Sequence, residues 1–202
     1  MRRAVTAAFL AGLVVAVPAG HAAAAPASPP AAERQDPAWE RLMAAERQFQ
    51  QELYELLVSK WWPAGAPTFM RSRDLQLALQ QERTAKFYYA LQHHPERIVR
   101  DQGVTAFANN FLIGWTEEDT QRLAQERPEL SPLEERVQRL RSENDHDPRW
   151  SEAHERLKGL PTDEAYQQAL SRLENAVGEA QALLTASPRE PPKRAESKRR
   201  KR

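Results

Sequence analysis

The sequence predicts an all-α fold: a single-domain bundle of about six or seven helices, with disordered segments at both ends. Three observations carry this. Apolar residues recur at three- and four-residue spacing in long runs. The clearest is Tyr166, Ala169, Leu170, Leu173, Ala176, Val177, Ala180, Leu183 and Leu184, a heptad-like coiled-coil seam. Helix starts are punctuated by Asp36-Pro37, Ser131-Pro132 and Asp147-Pro148, each a capping residue followed by a proline that suits the first helical position. No stretch alternates apolar and polar residues or carries a hairpin signal, so no strand is predicted.

The elements follow in chain order. Arg2 and Arg3 precede an apolar run over 4–17 that Pro18 breaks, followed by Gly20, His21 and a string of alanines. This is the layout of a signal peptide over 1–24, with cleavage expected after Ala22 or Ala24. The run is shorter than the ~20 residues a membrane-spanning helix needs. The expectation is therefore an exported protein, periplasmic or secreted, of a bacterium. Residues 25–36 are rich in Pro and Ala and read as a disordered linker.

The helical domain is expected over 37–187. Asp36 caps the first helix, whose stripe includes Trp39, Leu42, Met43, Phe49, Leu53, Leu56, Leu57 and Trp61. Pro63, Gly65 and Pro67 stop it. Core packing is the favoured reading for both tryptophans over stacking on a ligand; Trp61 fits the buried stripe, and Trp62 is expected to be the more exposed of the two. A second helix spans about Thr68 to His93, and Pro95 is expected to start a third that carries Ile98 and Val99 onward. That helix ends in Phe107–Trp115, where Gly114 terminates it and Thr116 with Asp119 makes a capping box for the next. Phe107, Phe111, Leu112, Ile113 and Trp115 leave few polar faces, which predicts a central helix with Asn109 and Asn110 at or near the core. Their amides are expected to bond across to a neighbouring helix or to face partly to solvent, with a polar ligand pocket as the alternative.

Ser131 is read as the cap of a helix with the thin stripe Leu133, Val137 and Leu140. Asp147 caps the next, with Trp150, Ala153, His154 and Leu157 inward, closed by a Schellman-type ending at Gly159. Thr162 caps the last helix.

The chain has 202 residues, 41% hydrophobic and 28% charged, at a formal net charge of +1. It has no cysteine, which excludes disulfides, thiol nucleophiles and Cys-ligated zinc. Charge is uneven. Residues 189–202 hold eight Lys or Arg against two Glu, so the body of the chain is net acidic. The tail over 188–202 lacks the apolar residues needed to fold by burial. Its Lys193, Arg194, Lys198, Arg199, Arg200, Lys201 and Arg202 suit an anionic envelope surface, and without aromatics they offer no base stacking.

Candidate chemistry is sparse. No nucleophile elbow, phosphate-binding glycine loop or His-Glu-x-x-His helix is present. Glu143, Asp145, His146, Asp147, His154 and Glu155 are potential metal ligands, yet their spacing matches no zinc or calcium pattern, so an interhelix turn is the favoured reading. His93 and His94 point ~100° apart on a helix and suit its negative C-terminal end. No catalytic, cofactor-binding or metal residue is assigned, and no cofactor is expected.

Leu130-Ser131-Pro132-Leu133-Glu134 resembles the Leu-Thr-x-x-Gln helix start of the small periplasmic chaperones of the Spy/CpxP type, with Ser131 for threonine and Glu134 for glutamine. The likeness covers these five residues and assigns no family. Two functional classes follow from the sequence. One is a binding or chaperone-like protein that engages another protein through an apolar helical surface, with the possibility of a homo-oligomer. The other is a metal-dependent or carboxylate-based hydrolase on a helical scaffold.

Overall fold

The computed structural model of the protein describes residues 35–186. The expected signal peptide, most of the linker and the basic tail lie outside the described residues. Within them the fold is an all-α bundle of seven α-helices, with short 3-10 and π turns at the junctions. None of these helices is long and apolar enough to cross a membrane.

The first helix, α1 (Pro37–Leu56), starts where Asp36 accepts the backbone N–H groups of Ala38 and Trp39 at 3.0 and 3.1 Å. The last, α7 (Glu164–Ala186), runs antiparallel to it, because Arg41 meets Glu179 at 2.5 Å while Glu52 meets Arg172 at 2.8 Å. Both helices bury residues at three- and four-residue steps: Ala38, Leu42, Ala45 and Phe49 on α1, and Tyr166, Ala169, Leu173, Ala176, Ala180 and Leu184 on α7. The alanines remove bulk from the seam and let the two backbones approach. Leu183, expected in the seam, is 37% exposed, since the closing turn of the heptad falls to Leu184 instead.

The long second helix, α2 (Ala66–His93), packs on α1 and carries α5 (Ser131–Asp145) on another face. Leu75 and Ala78 meet Val137 and Leu140 there, and Leu133 packs against them, as the thin stripe implied. Two larger clusters fill the seam. One holds Trp39, Met43, Phe87, Phe107, Phe111 and Leu184; the other holds Phe49, Trp62, Phe69, Leu160, Tyr166 and Leu173.

The turn after α1 corrects the reading of the tryptophan pair. Residues Leu57–Trp61 form a π turn, and Trp62 leaves it in an extended conformation. The wider turn swings Trp62 inward, where it is 5% exposed and meets Phe69 edge-on at 5.8 Å. Gly65 is required beneath it, because a Cβ there would collide with the indole. Trp61 is left half-buried, its indole N–H donated to Asp163 at 3.0 Å.

Past α2, Pro95–Arg97 form a single 3-10 turn, and the chain through Gly103 is not helical. The expected helix begins only at Val104, after Gly103 takes a φ of 91°. This α3 (Val104–Asn109) gives way to a 3-10 turn over Asn110–Leu112. Phe107 and Phe111 are fully buried, but Ile113 is 70% exposed and Asn109 is exposed, its amide donated to its own helix at the Thr105 carbonyl. Asn110 is half-buried. The segment is thus apolar on one side and open on the other, not a central helix. Gly114, at φ 77°, stops it as expected.

Thr116 and Asp119 then form the expected capping box of α4 (Glu117–Glu126). Three other starts differ. No side chain caps α5, which continues directly from a 3-10 turn over Pro128–Leu130. The cap of α7 is Asp163, one residue beyond Thr162, with its carboxylate on the N–H groups of Ala165 and Tyr166. The third is α6 (Trp150–Arg156), which no side chain caps, because Asp147 accepts only the Arg149 N–H ahead of it. The ending after α6 differs too: Gly159 lies at φ −86°, so the Schellman ending is absent, and the glycine instead leaves room for Trp61, whose Cη2 would lie 3.0 Å from an added Cβ.

Candidate functional site

The acids that cap or precede helices do a second task. Asp36, Asp119, Asp147 and Asp163 have side chains only 2–6% exposed, and each binds a cation from a different element. Asp36 takes the Arg100 guanidinium. Asp119 takes the His94 Nε2 at 2.8 Å and Arg97 at 3.0 Å. Asp147 takes Arg71 and the Thr68 hydroxyl, the latter at 2.8 Å. Asp163 takes Lys60 at 2.6 Å beside the Trp61 indole. A carboxylate at a helix start satisfies orphan N–H groups and meets the positive end of the dipole. The distant cation compensates its burial and ties two elements together.

The carboxyl groups respond accordingly. Burial raises that of Asp119, but the Thr116 N–H, Arg97 and His94 outweigh it and hold the pKa at about 2. Burial likewise opposes, and hydrogen bonds from the Arg149 N–H, Thr68 and Arg71 overcome, so that Asp147 lies below the ordinary value. Asp163 is lowered chiefly by Lys60.

These bonds disperse the clusters that looked like chemistry. Asp147 turns back to α2. His146 contacts the carbonyl of its own Ser142 at 2.7 Å, His154 is exposed rather than inward, Glu143 lies 3.9 Å from Arg139, and Glu155 pairs with Lys158. Among the described residues no three His, Asp or Glu side chains converge as a metal would require. His93 and His94 do diverge: His94 holds the first turn of α4 through Asp119, while His93 reaches Glu126 in its last turn at 3.0 Å. Between them the Tyr89 ring packs on both histidines and on Trp115, with its hydroxyl buried and unpaired. Burial first, then the nearby Asp119 and Glu126 carboxylates, raise the pKa of that hydroxyl.

A surface cleft lies elsewhere, between α1, α2 and the stretch joining α4 to α5. It is open to solvent, has a volume of about 370 Å³, and is lined by Arg47, Gln80, Gln81, Thr84, Ala85, Tyr88, Arg127, Glu129, Leu130 and Leu133. Its inner groups serve the fold. The buried Gln80 amide donates to the Met43 carbonyl at 3.0 Å and to Glu46 at 3.2 Å, and Tyr88 donates to Glu40 at 2.6 Å. Thr84 accepts the Trp39 indole N–H at 3.3 Å, which leaves its own hydroxyl proton to give. Arg127 pairs with Glu129. Arg47 and Gln81 are exposed and make no hydrogen bond or ion pair among the described residues. A smaller groove, about 230 Å³, follows the α1–α7 seam and is bridged by the Arg41–Glu179 and Arg172–Glu52 pairs.

Sequence reasoning did not find this cleft. Its residues come from three separated stretches, and each one reads as an ordinary solvated helix face. No family model matches the chain, and neither a curated protein nor a solved structure matches it significantly.

Proposed function

We propose that the protein is an exported helical binding protein that holds a ligand in the cleft between α1, α2 and the start of α5, and whose basic tail contacts anionic envelope components. The observation that carries the reading is the cleft. Its volume of about 370 Å³ lies within the range of small-molecule sites, and it combines apolar walls with a few polar groups whose hydrogen bonds are not all used within the protein. Support for export rests on Arg2, Arg3 and the apolar run behind them.

The hydrolase alternative has less support. Such an enzyme needs an acid and a base facing one substrate, and the one carboxylate lining the cleft, Glu129, is paired with Arg127. A chaperone-like role would need a continuous exposed apolar surface. The large exposed hydrophobics among the described residues are Met70, Leu112, Ile113 and Leu183.

Native mass spectrometry tests the reading. Protein isolated gently from its own envelope should carry a bound small molecule. The Gln81→Trp variant, which fills the cleft from an exposed position, should lose it while keeping the thermal midpoint. Wild-type protein free of any adduct, or an adduct retained in full by the variant, would reject the cleft as the binding site.

A further inference from the structure

We infer that the cleft takes a small amphipathic carboxylate, an organic anion with an apolar body; this rests on the binding reading above. The argument is an inventory of what the cleft has left to give. Hydrogen-bond groups already satisfied by the fold contribute little to a ligand, whereas groups bonded only to water can exchange that water for it at a modest net gain each. The Gln80 side-chain NH2 is spent on Met43 and Glu46, while its carbonyl oxygen makes no hydrogen bond among the described residues; the Tyr88 hydroxyl is spent on Glu40 and the Asp36 N–H. What remains is mostly donors: the Arg47 guanidinium, the Gln81 amide, and the Thr84 hydroxyl proton, since Thr84 oxygen is already used as an acceptor.

A set weighted toward donors calls for an acceptor-rich partner, and a guanidinium beside an amide suits a planar carboxylate. Charge agrees. Among the lining residues two guanidiniums face one carboxylate, Glu129, which Arg127 neutralises. The carboxylates behind the wall are engaged too: Glu46 holds Arg83 at 2.6 Å, and Glu40 accepts from Tyr88. Arg47 is therefore uncompensated on a body that is otherwise net acidic.

The second half of the ligand follows from the other wall. Ala85, Leu130, Leu133 and the Tyr88 ring give the cleft an apolar side, which a bare inorganic anion would leave wet. A head group held by Arg47, Gln81 and Thr84 would lay its apolar part toward Leu130 and Leu133.

The experiment is an NMR titration of the purified protein with three probes: 4-phenylbutyrate, 4-phenylbutan-1-ol and inorganic phosphate. The carboxylate should perturb amides of residues 80–88 and 127–133 and bind best. Arg47→Gln should weaken it about tenfold or more, while Arg139→Gln on the exposed side of α5 leaves it unchanged. Equal binding of acid and alcohol at these amides would overturn the anionic head and leave the binding reading intact. Phosphate binding as tightly as the acid would overturn the apolar half. No perturbation by any probe overturns the inference; the binding reading then falls as well only if native mass spectrometry also finds no adduct.

Discussion

The Trp39 indole lies flat on the Phe87 ring, with centroids 3.9 Å apart and planes 5° from parallel. Phe107 and Phe111 meet both rings nearly edge-on, at 5.3 to 6.0 Å. Offset and edge-on contacts are the favoured aromatic geometries, so the two edge rings frame a pair that is less favourable by itself. The four side chains come from α1, α2, α3 and the turn after it, and all are at most 1% exposed. Phe87→Ala removes one of the two members that touch all the others. It should cost about 3–5 kcal/mol, read as a lower urea midpoint with the slope unchanged. A loss of under ~1 kcal/mol would mean that the cluster does not hold these elements together.

Acid sensitivity follows from Asp119. Its folded pKa of about 2 is below the ordinary 3.8, so the native state favours the ionised form. The stabilisation is fully present above about pH 4 and is lost as pH falls through 2, and the shift corresponds to about 2 kcal/mol. Asp147 and Asp163 are shifted in the same direction, so they too lose stabilisation on acidification below the ordinary carboxylate value. Thermal midpoints measured between pH 5 and pH 2 should fall steadily. Asp119→Asn should lower the midpoint at pH 5 and flatten that slope. A parallel curve for the variant would show that Asp119 is not one of the groups responsible.

What the sequence makes legible is periodic or punctuated. The α7 seam is visible because burial repeats every three or four residues over about five turns, and Asp36-Pro37 and Thr116/Asp119 are local signals with local consequences. The misplaced elements depend on tertiary geometry. Nothing in Ser59-Lys60-Trp61-Trp62 announces a π turn, and one extra residue in a turn exchanges which tryptophan faces inward. Ile113 reads as core by composition but projects from a turn after the helix has ended. The second role of the capping aspartates is hidden for the same reason. Asp36 finds Arg100 and Asp163 finds Lys60 across 64 and 103 residues. The cleft, assembled from Arg47, Gln81, Thr84 and Leu130, has no contiguous signature at all.

The Asp163 junction can be dissected by comparing its partners. Asp163 accepts from Lys60, Trp61 and two backbone N–H groups, whereas Lys60 is 62% exposed and gives only its ammonium. Asp163→Ala leaves the half-buried Trp61 indole N–H and the start of α7 unpaired, while Lys60→Ala returns one charge to solvent. The aspartate variant should therefore lower the thermal midpoint clearly more than the lysine variant. Equal losses would mean that the ion pair, not the cap, carries this junction.

The α1–α7 seam makes a paired prediction on one helix. Leu173 is 5% exposed in the cluster with Phe49 and Tyr166, and Gln168 sits on the exposed face, bonded within its own helix to Glu164 at 3.2 Å. Leu173→Ala should destabilise by about 2–5 kcal/mol, the usual cost of truncating a buried leucine. Gln168→Ala should change stability by less than about 0.5 kcal/mol. Similar small losses from both would contradict the packing of α7 against α1.

The basic tail makes the last prediction. Residues 189–202 carry eight Lys or Arg and two Glu, on a chain whose remaining body is net acidic. Each Lys or Arg near an anionic membrane surface gains about 1 kcal/mol, and that gain shrinks as salt shortens the Debye length from about 30 Å at 0.01 M to about 8 Å at 0.15 M. The acidic body works against the attraction, and it also offers the tail an alternative partner within the same molecule. The net result should be weak binding to vesicles containing phosphatidylglycerol at low salt and little at physiological salt. A chain ending at Ser187 should not bind at either. Flotation of both proteins at the two salt concentrations separates the possibilities. Equal partitioning at low salt would show that the tail does not serve as an envelope-binding element. Binding that survives high salt in the truncated chain would move the contact to the helical body, where Ile113 and Leu112 are the exposed apolar side chains nearest to the end of α3.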